Sequence, residues 1–361
     1  KIILFLTFTF LIFSKGVIAN EKIKIGLLVP LTGENSEIGQ SIVKSARLAI
    51  NQINNPSIEI IPKDTKSDPT STLKSAKELA ELGIKIIIGP VFNTNLIYLD
   101  ELKSVTFLSL TNKNNNKNIN IINAGINARS QLRAIKKFIQ LNKIKKTIFL
   151  TPDVSYKNEI EKAISQTKIK VFKSYSYDTD PTKLTKQIEK ITNYERRKQN
   201  LLDEITRLEK SNQNNKEQLI EKLNKRDTLG VVNFDSVIIA DFDESLKSVT
   251  TSLLYTDISP KDKYFITLNQ WFDESLLKET SSQPLYFPSI NKKNYEEFSK
   301  KYYEKFNQYP NQLSFLSFDL VGLVYYLVNQ NNSLIDKKMF TKKNLFKGKV
   351  GIFEIKDNKI N

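Results

Sequence analysis

The side chains able to do chemistry in this chain are few in kind, because it contains no His and no Cys. Thiol nucleophiles, Ser-His-Asp triads, His-liganded metals and Cys-rich zinc sites are thereby removed together. What remains is hydroxyls, amides, amines and carboxylates. Only carboxylate chemistry stays open to catalysis. The chain is therefore not expected to be an enzyme, and no catalytic residue, metal ligand or cofactor is expected.

Such groups need a frame, and the hydrophobic pattern supplies one. In 361 residues, 40% hydrophobic and 10% aromatic, there is material for about two domains. Ile23–Val29, Ile58–Ile61 and Lys85–Ile88 read as short buried strands. Between them Ser41–Ile53 and Thr72–Leu82 carry apolar residues at helical spacing. A second series follows, with helices at Leu132–Leu141 and Asn158–Ser165 and strands at Thr147–Leu150, Ile169–Tyr175, Ser236–Ala240 and Tyr264–Thr267. Strand–helix alternation of this kind predicts α/β architecture, with parallel sheets flanked by helices. Two such series predict two lobes. In open parallel sheets a ligand sits beyond the carboxyl ends of the strands, so the loops after these strands are where binding groups are expected.

Residues 188–226 break the rhythm. Ile188, Ile191, Tyr194, Leu201, Leu202, Ile205 and Leu208 keep helical spacing, a polar break follows at Ser211–Asn215, and Leu219, Ile220 and Leu223 resume it. This predicts a helical hairpin inserted in the second lobe, with a narrow apolar seam and charged outer faces. It is either self-packing decoration or a docking surface.

The formal charge is +16, from 55 basic and 39 acidic side chains. Lys and Asn are abundant throughout, and Lys-rich helices such as Lys136–Lys146 read as solvated faces, so no nucleic-acid partner is expected. Lys1, the apolar run Ile2–Phe13 and the small Ala19 two places after Val17 fit a signal peptide over 1–19, cleaved before Asn20. The run is too short to span a bilayer, which needs roughly 20 residues. The expected location is the periplasm; a retained anchor is the alternative.

The stretch Lys24-Ile25-Gly26-Leu27-Leu28-Val29-Pro30-Leu31-Thr32-Gly33, followed by Ile38-Gly39-Gln40, resembles the opening of type I periplasmic binding proteins of the leucine/isoleucine/valine class. Asp64-Thr65 with Asp68-Pro69, then Ile86–Ile88 with Gly89-Pro90, resemble the next two strand–loop junctions of that family. Tyr295–Tyr309 with Pro310 and Ser317-Phe318-Asp319 resemble its late helix pair, and Phe346-Lys347-Gly348 through Gly351-Ile352-Phe353 its closing hairpin. The resemblance implies a two-lobed fold in which each lobe is discontinuous, at about 22–124 with 289–330, and 125–288 with 331–361. It also implies how a ligand is held: hydroxyls and backbone N–H groups take an amino-acid carboxylate, and an acidic group takes its ammonium.

Carried over by position, Asn93 stands where the family commonly has Ser, and is expected to cap a helix starting near Thr94. Ser109, Thr111 and Asn112 fall on the loop that holds the carboxylate, with Lys113 replacing the usual Thr. Tyr156 stands where the family often has a ligand-covering Tyr. Asp241, just past Ser236–Ala240, is the expected ammonium partner. For each, a cap or a solvated loop position is the alternative role. The departures, the inserted hairpin and Trp271-Phe272 resemble one branch of the fold, the penicillin-binding protein activators, which stimulate peptidoglycan synthases by contact. Two functions are thus implied. One is an amino-acid-type solute receptor for a membrane ABC permease; the alternative is regulation of cell-wall synthesis through a peptidoglycan synthase.

Overall fold

The computed structural model describes residues 22–113, 120–268, 279–331, 351–356 and 359–360. They form two compact units, both discontinuous in sequence. The first holds the chain up to Leu110, residues 120–122 and the segment from Tyr302; the second holds the segment from Thr111, Asn123–Lys301 and the strands near the carboxyl end.

In the first unit, strands β1 (Ile23–Val29), β2 (Ile58–Asp64), β3 (Ile86–Ile88), β4 (Thr106–Ser109) and β5 (Ile121–Asn123) form a sheet in the order β2-β1-β3-β4-β5. The pairs β1/β2, β1/β3 and β3/β4 are parallel. Between the first strands run α1 (Ser36–Ile53) and α2 (Pro69–Glu81). Both helices begin earlier than the apolar spacing predicts, and in α2 the first turn is set by a polar cap. Asp68 accepts from the N–H of Ser71 at 2.7 Å and Pro69 opens the helix, a cap-plus-proline start that the apolar pattern does not register. Asp64 ties the loops together by accepting from Leu31 N at 2.8 Å, Thr32 Oγ1 at 2.6 Å and Lys66 N at 2.9 Å. Burial by itself would raise its pKa, but these hydrogen bonds outweigh it and hold the carboxyl below the usual carboxylate value.

The late helices are α9 (Lys292–Phe306) and α10 (Gln312–Asn331). By length and composition α10 would pass for a membrane span, but it is a core helix of the first unit, with Val321 and Val324 fully buried. It meets α1 through small hydroxyl residues. Ser41 Oγ lies 2.7 Å from Ser314 Oγ and accepts from Tyr302 and from the Asn311 N–H, while Ser45 donates to the Ser314 carbonyl at 2.6 Å.

Two glycines of the motifs are demanded by close approach. A Cβ on Gly39 would fall 1.7 Å from the Pro30 carbonyl oxygen, so the first turns of α1 pack directly on the loop after β1. Gly89 has φ +106°, and a Cβ there would lie 2.2 Å from the Leu28 carbonyl oxygen.

The second unit carries β6 (Thr147–Pro152), β7 (Lys173–Tyr177), β8 (Ser236–Ile239), β9 (Tyr264–Thr267), β10 (Leu285–Ser289), β11 (Gly351–Lys356) and β12 (Lys359–Ile360), in the order β12-β11-β10-β9-β8-β6-β7. The pairs from β7 through β10 are parallel; β11 and β12 close the edge antiparallel. Alternate residues feed opposite faces. Ile148, Leu150, Val237, Ile239 and Phe265 join one core cluster, whereas Phe149, Ile238 and Ile266 join the other. The second cluster is covered by α3 (Ala128–Leu141) and α4 (Lys157–Thr167), the first by α5 (Pro181–Thr192) and α8 (Asp243–Tyr255). The strand expected at Ile169–Tyr175 is displaced: pairing begins at Lys173, and Ile169 is a buried connecting residue. Of the expected closing hairpin, Phe346–Gly348 lie outside the described residues, as do Trp271-Phe272 and the segment 1–19.

The inserted hairpin consists of α6 (Tyr194–Glu209) and α7 (Lys216–Asn224). Residues 188–192 belong instead to α5, which ends at Asn193 in the left-handed conformation. Arg197 pins the base. Buried at 5% exposure, it donates to the Thr192 carbonyl at 3.1 Å, to Thr228 Oγ1 at 3.0 Å and to the Thr256 carbonyl. The seam is narrow, as Leu201 and Leu208 are buried but Leu202 faces solvent, and α7 buries no residue.

Gly89→Ala is expected to destabilise the chain by about 3 kcal/mol or more, since both φ and the Leu28 backbone oppose a side chain. Urea unfolding checks this; a midpoint equal to wild type contradicts it.

Candidate functional site

At the carboxyl ends of the second unit's strands, four elements converge on one residue, Asp241. Asp241 follows β8 and is 3% exposed. Its Oδ2 accepts from Tyr177 Oη at 2.6 Å and Ser245 Oγ at 2.7 Å; its Oδ1 accepts from the Phe242 N–H at 3.0 Å and from Tyr156 Oη at 3.3 Å. Its backbone carbonyl accepts from Thr267 Oγ1 at 2.9 Å. Tyr177 closes β7, Tyr156 opens α4, Thr267 closes β9 and Ser245 lies in the first turn of α8. A carboxylate offers about four lone-pair directions, and here each oxygen already receives two donors. Burial first, and then the negative charge of Asp241, push both phenols well above their ordinary value of 10.0, so they remain donors.

The Tyr156 ring, fixed at its hydroxyl, walls an open depression of about 320 Å³. Phe242 stands beside it, with ring centroids 6.1 Å apart and planes at 31°. Asn112, Lys113 and Glu159 supply the polar lining. The Asn112 loop is held from within, because Thr111 Oγ1 accepts from the Lys113 N–H at 3.2 Å and the Lys113 carbonyl accepts from Asn123 Nδ2. The result is two aromatic faces with an amide, an ammonium and a carboxylate around them. That chemistry fits a small polar solute with an apolar body.

Of the residues expected from the sequence, Asn112, Tyr156 and Asp241 are gathered here, the last beneath the lining and not in it. Thr111 is buried under the same loop. Asn93 and Ser109 belong to the first unit. Ser109, fully buried, places Oγ 3.4 Å from the Pro90 carbonyl. Asn93 does not cap a helix: it is the first residue of a 3₁₀ turn, Asn93–Leu96, whose cap position is Phe92 and has no side-chain hydrogen bond. The turn is too short to need the side-chain cap that a longer helix recruits. Asp241 is placed as expected after β8, but an ammonium could reach its carboxylate only by displacing a hydroxyl. Tyr177, Ser245 and Phe242 escape sequence reasoning. The one signal for them is Ser245 four residues after Asp241 at a helix start, since Tyr177 arrives from another strand.

Asp241→Ala is expected to cost about 3 kcal/mol, because it leaves the buried hydroxyl of Tyr177 and that of Ser245 without their acceptor. Denaturant unfolding of the variant measures this, and a loss of the size seen for an exposed Asp contradicts it.

Residues 22–193 match the family model for periplasmic binding proteins. No curated protein sequence matches the chain. Among solved structures, the chain is similar to the branched-chain amino acid transporter substrate-binding protein LivJ of Streptococcus pneumoniae in complex with isoleucine, at 16% identity and TM-score 0.54, covering 94% of this chain and 98% of that one. A putative branched-chain amino acid ABC transporter protein of Rhodospirillum rubrum gives 12% identity and TM-score 0.66, with 94% and 95% covered. The C-domain of LpoA from Haemophilus influenzae, a regulator of PBP1A, gives 14% identity and TM-score 0.58, with 93% and 98% covered. At these identities the likeness is one of fold. Taken with the sheet orders, the two discontinuous units and the match over residues 22–193, it gives this chain the fold of the type I periplasmic binding proteins.

Proposed function

We propose that the protein is an extracytoplasmic solute receptor, taking an amino-acid-type ligand for a membrane ABC permease. The observation that carries this reading is the depression walled by Tyr156 and Phe242 at the carboxyl ends of β6 and β8, where parallel sheets place their ligands. In it Tyr156 covers the apolar part of the solute, and Asn112 donates to its carboxylate. Asp241 serves the site through Tyr156, by fixing the ring against which the solute packs. The work required is binding and release, with no bond made or broken, and the periplasm, reached through a cleaved signal, is where such a receptor operates.

A second reading, regulation of a peptidoglycan synthase by contact, draws on the similarity to the LpoA C-domain and on the α6–α7 hairpin, whose outer helix buries nothing. The hairpin would be the contact surface.

A thermal-shift screen against amino acids and their amides separates the two. A ligand at 100 times its dissociation constant adds about 2.7 kcal/mol of stability, so a receptor's melting temperature rises visibly with at least one solute. Tyr156→Ala is expected to weaken that solute more than tenfold. No shift with any solute, together with capture of a synthase through α6–α7, contradicts the receptor reading.

A further inference from the structure

At the opposite end of the second unit from Asp241, the starts of β6 and β7 meet the last turns of α3 and α4. Lys136 Nζ reaches the Thr167 carbonyl at 3.0 Å, and the Phe172 N–H donates to the Thr147 carbonyl at 2.7 Å, so the two connecting loops lie side by side. This end is strongly basic. No Asp or Glu occurs between Glu101 and Asp153, while residues 124–152 alone contain seven Lys or Arg. Lys143, Lys145, Lys146, Lys168, Lys170 and Lys173 are all exposed, and none makes an ion pair. Some cations elsewhere in the chain do have carboxylate partners, as in Lys63–Glu78, Lys157–Asp153 and Lys183–Asp178. The nearby carboxylate, Asp235, is spent on the backbone N–H groups of Lys145 and Lys146.

A helix end favours a cation or two, worth a few tenths of a kcal/mol each; it gives no reason for six. Lys143 and Lys168 also stand at φ 54° and 52°, just past their helices, where Gly or Asn is the low-cost choice. Among these lysines two apolar side chains are exposed, Leu141 at 71% and Phe172 at 43%. Lys146 and Lys173 sit over the Phe172 ring at 5.2 and 5.9 Å.

We infer that this end of the second unit is a docking face for an anionic phospholipid bilayer. Six unpaired ammonium groups match a sheet of phosphodiester headgroups, each worth about 1 kcal/mol near such a surface. Leu141 and Phe172 reach the acyl boundary between them. A nucleic acid fits less well, because the exposed aliphatic Leu141 offers no ring face on which a base could stack. The lysines of residues 136–146, which read as an ordinary solvated face in the sequence, become half of this patch.

The test is partitioning of the full chain onto vesicles of phosphatidylcholine or of phosphatidylglycerol. The apolar run at residues 2–13 is common to every variant, so differences between variants and between lipids report on the patch. Wild type is expected to favour phosphatidylglycerol, and to lose that preference between about 0.05 and 0.5 M salt as screening sets in. Replacing Lys143, Lys168 and Lys170 together by Gln should weaken binding to phosphatidylglycerol about 100-fold. The pair Leu141→Ser and Phe172→Ser should weaken it about tenfold at every salt concentration. Melting temperatures should match wild type throughout, since all five side chains are exposed. Equal partitioning onto both lipids, or a lysine variant that binds like wild type, overturns the inference. So does binding of double-stranded DNA as tight as that of vesicles with no effect of the Leu141 and Phe172 changes.

Discussion

The buried carboxylate of Asp241 is the constraint around which the carboxyl-end edge of the second unit's sheet is built. A charge taken out of water is tolerated only when it is fully hydrogen-bonded, and this one draws its donors from β7, from the start of α4 and from the first turn of α8. Meeting that demand sets the ends of several strands relative to one another. It also pins Tyr156 by its hydroxyl, leaving the ring face directed at the depression beside Phe242. The polar network beneath and the aromatic wall above are one device.

Much of the frame was legible in the residues because it depends on local rules. Asp68-Pro69 marks a helix start through its own cap and proline, and Gly39 and Gly89 mark the places where backbone passes against backbone. The site was legible by position and not by role. Asp241 is found by its place after an apolar run, but its partners come from Tyr177 and Tyr156, remote in sequence, and no spacing rule connects them. Asn93 was misread because a one-turn 3₁₀ segment looks like a helix start when only polar residues are counted. The hairpin boundary was misplaced for a related reason. Ile188, Ile191 and Tyr194 keep helical spacing straight across Asn193, whose left-handed backbone ends one helix and begins the next.

The two faces of the sheet explain why an insertion as large as α6–α7 is tolerated. It enters beyond the crossover helix α5, outside both core clusters, and its base is held by the guanidinium of Arg197 and by the Tyr194 ring against Tyr255. The core of the unit is therefore complete without it. Charge is distributed with similar economy. Lys157, Lys183 and Lys247 are paired with carboxylates, whereas the six lysines at the far end of the sheet are left open.

The claim that Asp241 is a positioning residue, with its acceptor capacity already committed, is met most directly by an experimental electron-density map of the protein grown with its tightest-binding amino acid. The account predicts solute density against the Tyr156 ring, with Tyr177 and Ser245 still donating to the Asp241 carboxylate. A ligand ammonium within about 3 Å of Asp241, with the Tyr177 hydroxyl turned away, would contradict it.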